Sequence, residues 1–396
     1  MDNGPTTIEG LKSGAERNPQ ESEPAEHLSK KNRSNHEPYQ SIILNRPSSA
    51  ENGAATRSEQ NAYVPPNQGI YSPLSRFEHE IRILFLEAGE SHMPLKCHLL
   101  QLPLAKAEEI GFETVSYCWG HPDDQDIVEV EGLPLRVPMT AIQALQRFRY
   151  PNKDRLLWID SICLNQMDLE ERGHEVARMR HIYSRGQKNL TWLGLDDVNA
   201  AAASYALHAI LDDIKSHHDI TEALNDCLKT NSEQANFADH FSLCNELAAP
   251  LLKLFARPWF RRLWVAQEAF LAQQNLVFCG NVQMELVNML KIYPWLTRNR
   301  KYLNTELNGL LTQARGAMLF ALFRWKEPEF GWPNKPASPG AALLLWNFQE
   351  SDATDPRDHV YGILGLLQNP KNGETPPLLQ PNYSENALTV FRNATR

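Results

Sequence analysis

Apolar residues recur along this chain with two different spacings, and the switches between them mark out the elements. In HEIRILFLEAG (79–89), Ile81, Ile83 and Phe85 alternate with other residues, the spacing of a strand with one buried side. FETVSYCWG (112–120) is a short β-rich run, and IVEVEGLPLRV (127–137) reads as a hairpin turning at Glu131-Gly132. TAIQALQRF (140–148) places Ile142, Leu145 and Phe148 three residues apart, as a helix requires. LLWID (156–160) is unbroken apolar sequence of strand length, expected of a strand covered on both faces. A helix over 168–185 follows, with Val176, Met179, Ile182 and Tyr183 on its apolar stripe. Its outer face is expected to expose Glu171, Arg172, Glu175 and Arg178. Gly186 ends it and NLTWLG (189–194) is the next buried strand. Strand, helix and strand in so short a span form a βαβ unit, which needs parallel strands and a right-handed crossover. The fold class is α/β.

Past Asp196 helical spacing dominates, over 200–217, 243–256 and 260–272, then LVFCG (276–280) adds a strand. Further helices are expected over 284–295, 307–325, 340–349 and 356–367. The economical architecture is a parallel-sheet core with a helical insertion at about 196–256 and a mainly helical C-terminal part over 281–396. Residues 1–69 differ in texture, being rich in Glu, Ser, Asn, Pro and Gly, with an isolated apolar patch at Ile42–Leu44. Such a segment buries too little apolar surface to offset its ordering entropy, so a disordered tail is expected.

Composition narrows the function classes. Of 396 residues, 39 are Lys or Arg and 48 Asp or Glu, a formal charge of -9. That balance lacks the basic field of a duplex-binding protein and argues against nucleic acid as partner. No apolar run approaches the roughly 20 residues of a membrane span. Six scattered cysteines without a Cys-x-x-Cys pair suit free thiols in a reducing compartment, so a cytoplasmic location is expected and neither a disulfide framework nor a zinc site is.

Three groups of residues could bear chemistry. Asp160 closes a buried strand and is followed by SICLNQMD; ligands of parallel sheets bind at the carboxyl ends of strands, so Asp160, Asn165 and Gln166 are candidates for a polar site. Structural hydrogen bonding serves equally well for Asp160, and helix capping is favoured for Asn165 and Asp168. In PWFRRLWVAQEAF (258–270), Trp264 and Glu268 stand four apart on one helical face. An indole wall can raise a carboxyl pKa and ready it for acid, base or nucleophile-like work; plain packing against Arg261 or Arg262 is the competing reading. Arg257, Arg261 and Arg262 near this helix start suit a phosphate or a solvated surface. Asp355, Pro356 and Asp358 open the last helix as cap, first and third residues, leaving Arg357 without a local partner. The histidines complete no metal spacing, and phosphate-binding loops, dinucleotide fingerprints and hydrolase elbows are absent from the sequence.

Taken in order, YSPL…EIRILFL (71–86), FETVSYCWG (112–120), the block 157–194, RPWFRRLWVAQEAF (257–270) and ATDPRDHVYGILGLL (353–367) resemble the fungal heterokaryon-incompatibility (HET) domain. The likeness spans about residues 70–367, and the domain itself would occupy 70–280. It implies a role in nonself recognition and programmed cell death, with partners that are copies of itself or another incompatibility protein. A weaker likeness is to the Toll/interleukin receptor (TIR) fold, itself Rossmann-like, in which a Ser-Tyr pair ends an early strand, an Asp a later one, and a Trp-x-x-x-Glu helix follows. Ser116 with Tyr117, Asp160, and Trp264 with Glu268 match those places in order, and Trp119 adjoins the first. Some TIR domains cleave NAD. Carried over, NAD is a candidate substrate, Glu268 would stabilise an oxocarbenium-like transition state, Trp264 would shape the pocket and Asp160 would contact ribose hydroxyls, with Arg262 nearby. A non-catalytic, self-assembling scaffold working through the charged helix face is the alternative.

Overall fold

Strands that are apolar on both faces gather at the centre of the sheet, and strands with an exposed side lie at its edges. In the computed structural model the described residues are 69–196, 199–216, 237–314, 319–323, 340–367 and 380–394. The expected tail (apart from Gly69), its apolar patch and Cys227 therefore lie outside the described residues. Among those described, β1 (Glu80–Leu86), β2 (Lys96–Pro103), β3 (Glu113–Tyr117), β4 (Gln125–Val130), β5 (Leu133–Pro138), β6 (Arg155–Trp158), β7 (Asn189–Trp192), β8 (Asn275–Cys279) and β9 (Val282–Glu285) build one sheet. Their order is β5-β4-β2-β1-β6-β3-β7-β8-β9. The four strands β6, β3, β7 and β8 run parallel. Toward one edge β1 is antiparallel to both β6 and β2, and at the other β9 is antiparallel to β8. The sheet is thus mixed around a parallel centre. The expected βαβ unit exists, but β6 and β7 are not neighbours; β3 lies between them.

The helices are α1 (Leu104–Ile110), α2 (Met139–Phe148), α3 (Asp160–Cys163), α4 (Leu169–Arg185), α5 (Ala200–Ser216), α6 (Phe237–Phe255) and α7 (Val265–Leu271). After the sheet come α8 (Leu286–Lys291), α9 (Tyr293–Arg298), α10 (Thr305–Gln313), α11 (Ala341–Phe348), α12 (Asp358–Leu364) and α13 (Ala387–Ala394). The stretch 284–295, expected to be one helix, begins as β9 and continues as two short helices, because Met284 is buried as part of a strand paired with β8. Leu207, Ile210, Leu251 and Phe255 of the insertion share one apolar core with Val277 of β8 and Leu296 of α9. None of the helices among the described residues is long and apolar enough to cross a membrane.

The register of the parallel centre is pinned by a buried polar ladder. Thr114, Asn189 and Asn275 stand opposite one another on β3, β7 and β8. The Thr114 hydroxyl donates to Asn189 Oδ1 at 3.0 Å, and Asn189 Nδ2 donates to Asn275 Oδ1 at 3.1 Å. Asn275 Nδ2 then donates to the Ala269 carbonyl at 2.8 Å, fixing α7 to the sheet. In a buried setting a one-residue slip would leave all these groups unpaired, so the ladder selects a single register.

Two sequence expectations meet a different environment. β1 is buried along both faces, since Leu84 and Leu86 are covered as fully as Ile81 and Ile83. The supposed outer face of α4 is largely interior: Glu175 and Arg178 are 1% and 8% exposed and pair at 3.1 Å, with Arg178 also donating to the Glu80 carbonyl. The β1 end of the chain covers that side of the helix.

The hairpin turns as expected at Glu131-Gly132, both with positive φ (55° and 74°), the geometry that Gly favours. Glu131 also holds His98 of β2, which lies 2.9 Å from Glu87 on its other side. Hydrogen bonding to Glu131, helped by Glu87 and opposed by burial, pushes the His98 pKa up to about 9. A histidine whose folded pKa exceeds its ordinary 6.5 stabilises the fold fully below that value and loses the contribution as pH climbs to about 9. Thermal unfolding of His98→Gln is therefore expected to match the wild type near pH 9 and fall below it near pH 6.

Candidate functional site

Three chain segments deliver polar side chains to the carboxyl end of the parallel strands. Ser116 lies two residues beyond Thr114 on β3, so it shares the face of the buried polar ladder. Asp160 follows β6 and is the first residue of the short helix α3. Glu268 sits in the first turn of α7 and is 2% exposed. The helix expected over 260–272 is broken: Pro258–Arg261 is a 3-10 turn, Arg262 is extended, and α7 begins at Val265. The break is held by a backbone bridge, in which Asp352 N–H donates to the Arg261 carbonyl and Leu263 N–H to the Asp352 carbonyl. It turns Arg262 inward, where its guanidinium donates to the Tyr117 carbonyl at the end of β3.

The side chains form a connected network. Trp259 Nε1 donates to Ser116 Oγ at 2.7 Å, and the Ser116 hydroxyl donates to Glu268 Oε2. Arg262 Nη1 lies 3.7 Å from Glu268 Oε1. Across the site Trp119 Nε1 donates to Asp160 Oδ2 at 3.0 Å, while Gln166 Nε2 donates to the Asp160 main-chain carbonyl at 2.9 Å. The other Asp160 oxygen, Oδ1, and the Tyr117 hydroxyl are both buried without a well-formed hydrogen bond, yet the two side chains lie close enough to interact with each other. A buried acceptor so weakly matched keeps room for a further donor.

A cavity of about 490 Å³ opens between these segments, lined by Trp119, Asp160, Gln166, Arg262, Trp264 and Glu268. Its volume is within the usual range for small-molecule sites. Burial raises the Glu268 carboxyl above its ordinary pKa; Arg262 and the Ser116 hydrogen bond oppose the rise, and Asp160 adds to it. Burial likewise raises Asp160, with Arg262 and then the Trp119 hydrogen bond opposing. Burial works against the charge of Arg262, yet Glu268 and Asp160 hold its pKa above the ordinary value. Two carboxyls with one guanidinium between them can carry a proton, receive hydroxyl donors and face a cation. No group of three or more His, Cys, Asp or Glu side chains among the described residues is gathered as metal ligands.

Several candidates sit differently from the sequence reading. Trp264 lines the cavity beside Glu268, but its indole N–H is committed to Asp358 Oδ2 at 3.2 Å; the indole hydrogen-bonded toward Glu268, through Ser116, is that of Trp259. Asn165 is absent from the cavity lining. Its N–H donates to Glu171 Oε1 at 2.8 Å and its side chain accepts from Met167 N–H, so it shapes the loop before α4, whose cap is Asp168. Ser116 and Tyr117 stand behind the lining. The arginine cluster disperses: Arg257 donates to the Leu193 and Leu195 carbonyls, Arg261 pairs with Asp352 at 3.1 Å, and only Arg262 enters the site. Sequence reasoning missed Asp358 and Tyr383, which also line the cavity; the Tyr383 hydroxyl donates to Asp358 Oδ1 at 2.7 Å. Arg357, expected to have no local partner, pairs with Asp355 at 2.6 Å and also donates to the Tyr383 and Glu385 carbonyls; Asp355 is not the expected helix cap, because α12 begins at Asp358 without a side-chain cap.

Residues 112–268 match the family described as Heterokaryon incompatibility protein (HET). This segment is homologous to the fungal heterokaryon-incompatibility domain. It begins at the residue before β3 and ends at Glu268, so Ser116, Asp160, Arg262 and Glu268 all fall within it. The chain is also similar to heterokaryon incompatibility protein 6, OR allele, of Neurospora crassa, with 26% identity over 358 residues. That alignment covers 80% of this chain and 51% of the relative, so the chain spans about half the length of the protein it matches. No solved structure matches the chain. Asp358 and Tyr383 lie outside the family match, although they complete the cavity wall.

Proposed function

We propose that this chain acts in the fungal cytoplasm in nonself recognition and cell-death signalling, and that it does so by hydrolysing the N-glycosidic bond of NAD or a related nucleotide on a TIR-like core. The carrying observation is that Glu268 and Asp160 line one 490 Å³ cavity, with the guanidinium of Arg262 electrostatically coupled to both. In this reaction the bond from ribose C1′ to the pyridinium nitrogen breaks, and its electron pair neutralises the departing nicotinamide. Water then adds to C1′ and releases a proton. The ionised Glu268 carboxylate would face the oxocarbenium charge that develops at C1′. Asp160 Oδ1, which has no well-formed hydrogen bond of its own, would accept a ribose hydroxyl, and Trp119 and Trp264 would flank the planar ring.

Nicotinamide release from NAD by the full chain tests the reading. Glu268→Gln keeps the size of the side chain and an acceptor for the Ser116 hydroxyl while removing the charge. It is expected to lower turnover by roughly 100-fold or more. Because burial raises the Glu268 pKa, wild-type turnover should increase with pH through the acidic range as that carboxyl ionises. An inactive wild type, or a Glu268→Gln protein as active as the wild type, overturns the catalytic reading. Self-association, or pairing with another incompatibility protein, accompanies this role. The scaffold alternative has weaker support, because Glu175 and Arg178 of its proposed contact face are buried.

A further inference from the structure

Around the cavity almost every cation is already engaged. Arg261 is paired with Asp352, Arg262 with Glu268 and the Tyr117 carbonyl, and Arg357 with Asp355 and two carbonyls of residues 383 and 385. Arg172, in the first turns of α4, is held in no ion pair, although the Asp358 and Asp355 carboxyls lie near enough to feel its charge. Its guanidinium carbon lies 4.1 Å from the centre of the Tyr383 ring, and the side chain lines the cavity. Among the described residues it has no ion pair and its guanidinium makes no hydrogen bond. Tyr383 in turn is fixed: it is 5% exposed, its hydroxyl is bound to Asp358, and Arg357 lies against the same ring at 5.2 Å. Stacking therefore holds one planar fork of N–H donors in place without occupying any of them.

We propose that Arg172 receives a phosphate group of the substrate, so that the cavity takes a phosphorylated nucleoside, with the pyrophosphate of a dinucleotide as the best fit. The assignment rests on the reading of the cavity as a nucleotide-hydrolysing site, and names which end of the substrate gives affinity. A guanidinium matches two phosphate oxygens at once, and one already immobilised loses less freedom on binding than a mobile lysine would. The Asp160 and Glu268 carboxyls suit the cationic pyridinium end of such a molecule, while Arg172 supplies the opposite charge for its phosphates.

The test has a binding arm and a turnover arm, both on the full chain. In calorimetric titration with inorganic pyrophosphate, Arg172→Gln is expected to bind roughly 10- to 100-fold more weakly than the wild type. Arg172→Lys should fall between them, and Arg261→Gln, a cation spent on Asp352, should match the wild type. In the turnover arm, the wild type should cleave NAD and nicotinamide mononucleotide with a far lower KM than nicotinamide riboside, and Arg172→Gln should erase that preference with little change in kcat. Equal pyrophosphate binding by wild type and Arg172→Gln, with unchanged thermal unfolding, overturns the assignment even if NAD is cleaved. Arg172-dependent pyrophosphate binding by a wild type that cleaves none of the three supports the subsite while removing the hydrolase reading. If Arg172→Gln unfolds, Tyr383→Leu, which removes the stack and keeps the charge, must weaken pyrophosphate binding for the assignment to stand.

Discussion

Replacing Arg82 by methionine is expected to lower the unfolding free energy by about 3–5 kcal/mol, the cost typical of breaking a buried ion pair from one side. Arg82 is 2% exposed on β1 and meets both oxygens of Glu171, at 2.6 and 3.0 Å. It also donates to the Cys163 carbonyl at 3.2 Å and the Ser72 carbonyl at 2.6 Å, and lies over the Tyr71 ring. One side chain thus ties the approach to β1, the end of α3 and the start of α4. Methionine fills most of the volume but leaves Glu171 without its cation and two carbonyls without donors. Urea denaturation measures the loss. Adding Glu171→Met should recover much of it, because the surviving charge is then gone as well. Arg82→Lys should recover less, since an ammonium cannot reach both carboxylate oxygens and both carbonyls in one plane. A single mutant within 1 kcal/mol of the wild type would mean the pair contributes no more than a solvated one.

What could be read in the sequence was what neighbouring residues decide. The turn at Glu131-Gly132 and the succession β6, α4, β7 each depend on a few adjacent side chains, and both occur where spacing put them. The insertion of β3 between β6 and β7 depends instead on pairings between residues some forty or more apart, for which spacing offers no signal. Glu175 and Arg178 look like a solvated face because charge usually means water; here they are neutralised by each other and covered by β1. The break at Arg262 was hidden for a related reason. The local pattern is helical, and the backbone bridge that interrupts it comes from Asp352.

The candidate site divides along the same line. Periodicity alone identified Asp160 and the Trp264–Glu268 pair only as open alternatives, and Ser116 and Tyr117 came from resemblance. The groups supplied by the C-terminal part, Asp358 and Tyr383, reach the cavity through contacts spanning 94 and 25 residues, beyond any motif. The sequence showed no local use for Arg357, yet it has one, since it pairs with Asp355 two residues away at 2.6 Å. Beyond that local pair its Nη1 reaches the segment that holds Tyr383, a contact that no spacing announces.

Arg262→Met should destabilise the protein in a way that depends strongly on pH. In the wild type Arg262 opposes the burial-driven rise of the Glu268 and Asp160 pKa values. Without the guanidinium both carboxyls face an apolar side chain and each other, so their folded pKa values climb further above the unfolded ones. A carboxyl raised in this sense binds its proton more tightly in the folded state, so stability is retained below the unfolded pKa, near 4, and declines as pH rises toward the folded value. At pH 4–5 the variant should therefore lie close to the wild type, apart from the lost hydrogen bond to the Tyr117 carbonyl. By pH 8 the deficit should reach about 3–5 kcal/mol, as two buried carboxylates are left without their cation. Introducing Glu268→Gln into Arg262→Met should flatten the dependence by removing one of the two titrating groups. Denaturation curves at pH 5, 6.5 and 8 decide the matter. A deficit of the same size at every pH would show that Arg262 acts through packing and its carbonyl contact, and that charge neutralisation between residues 160 and 268 is not what holds the cavity together.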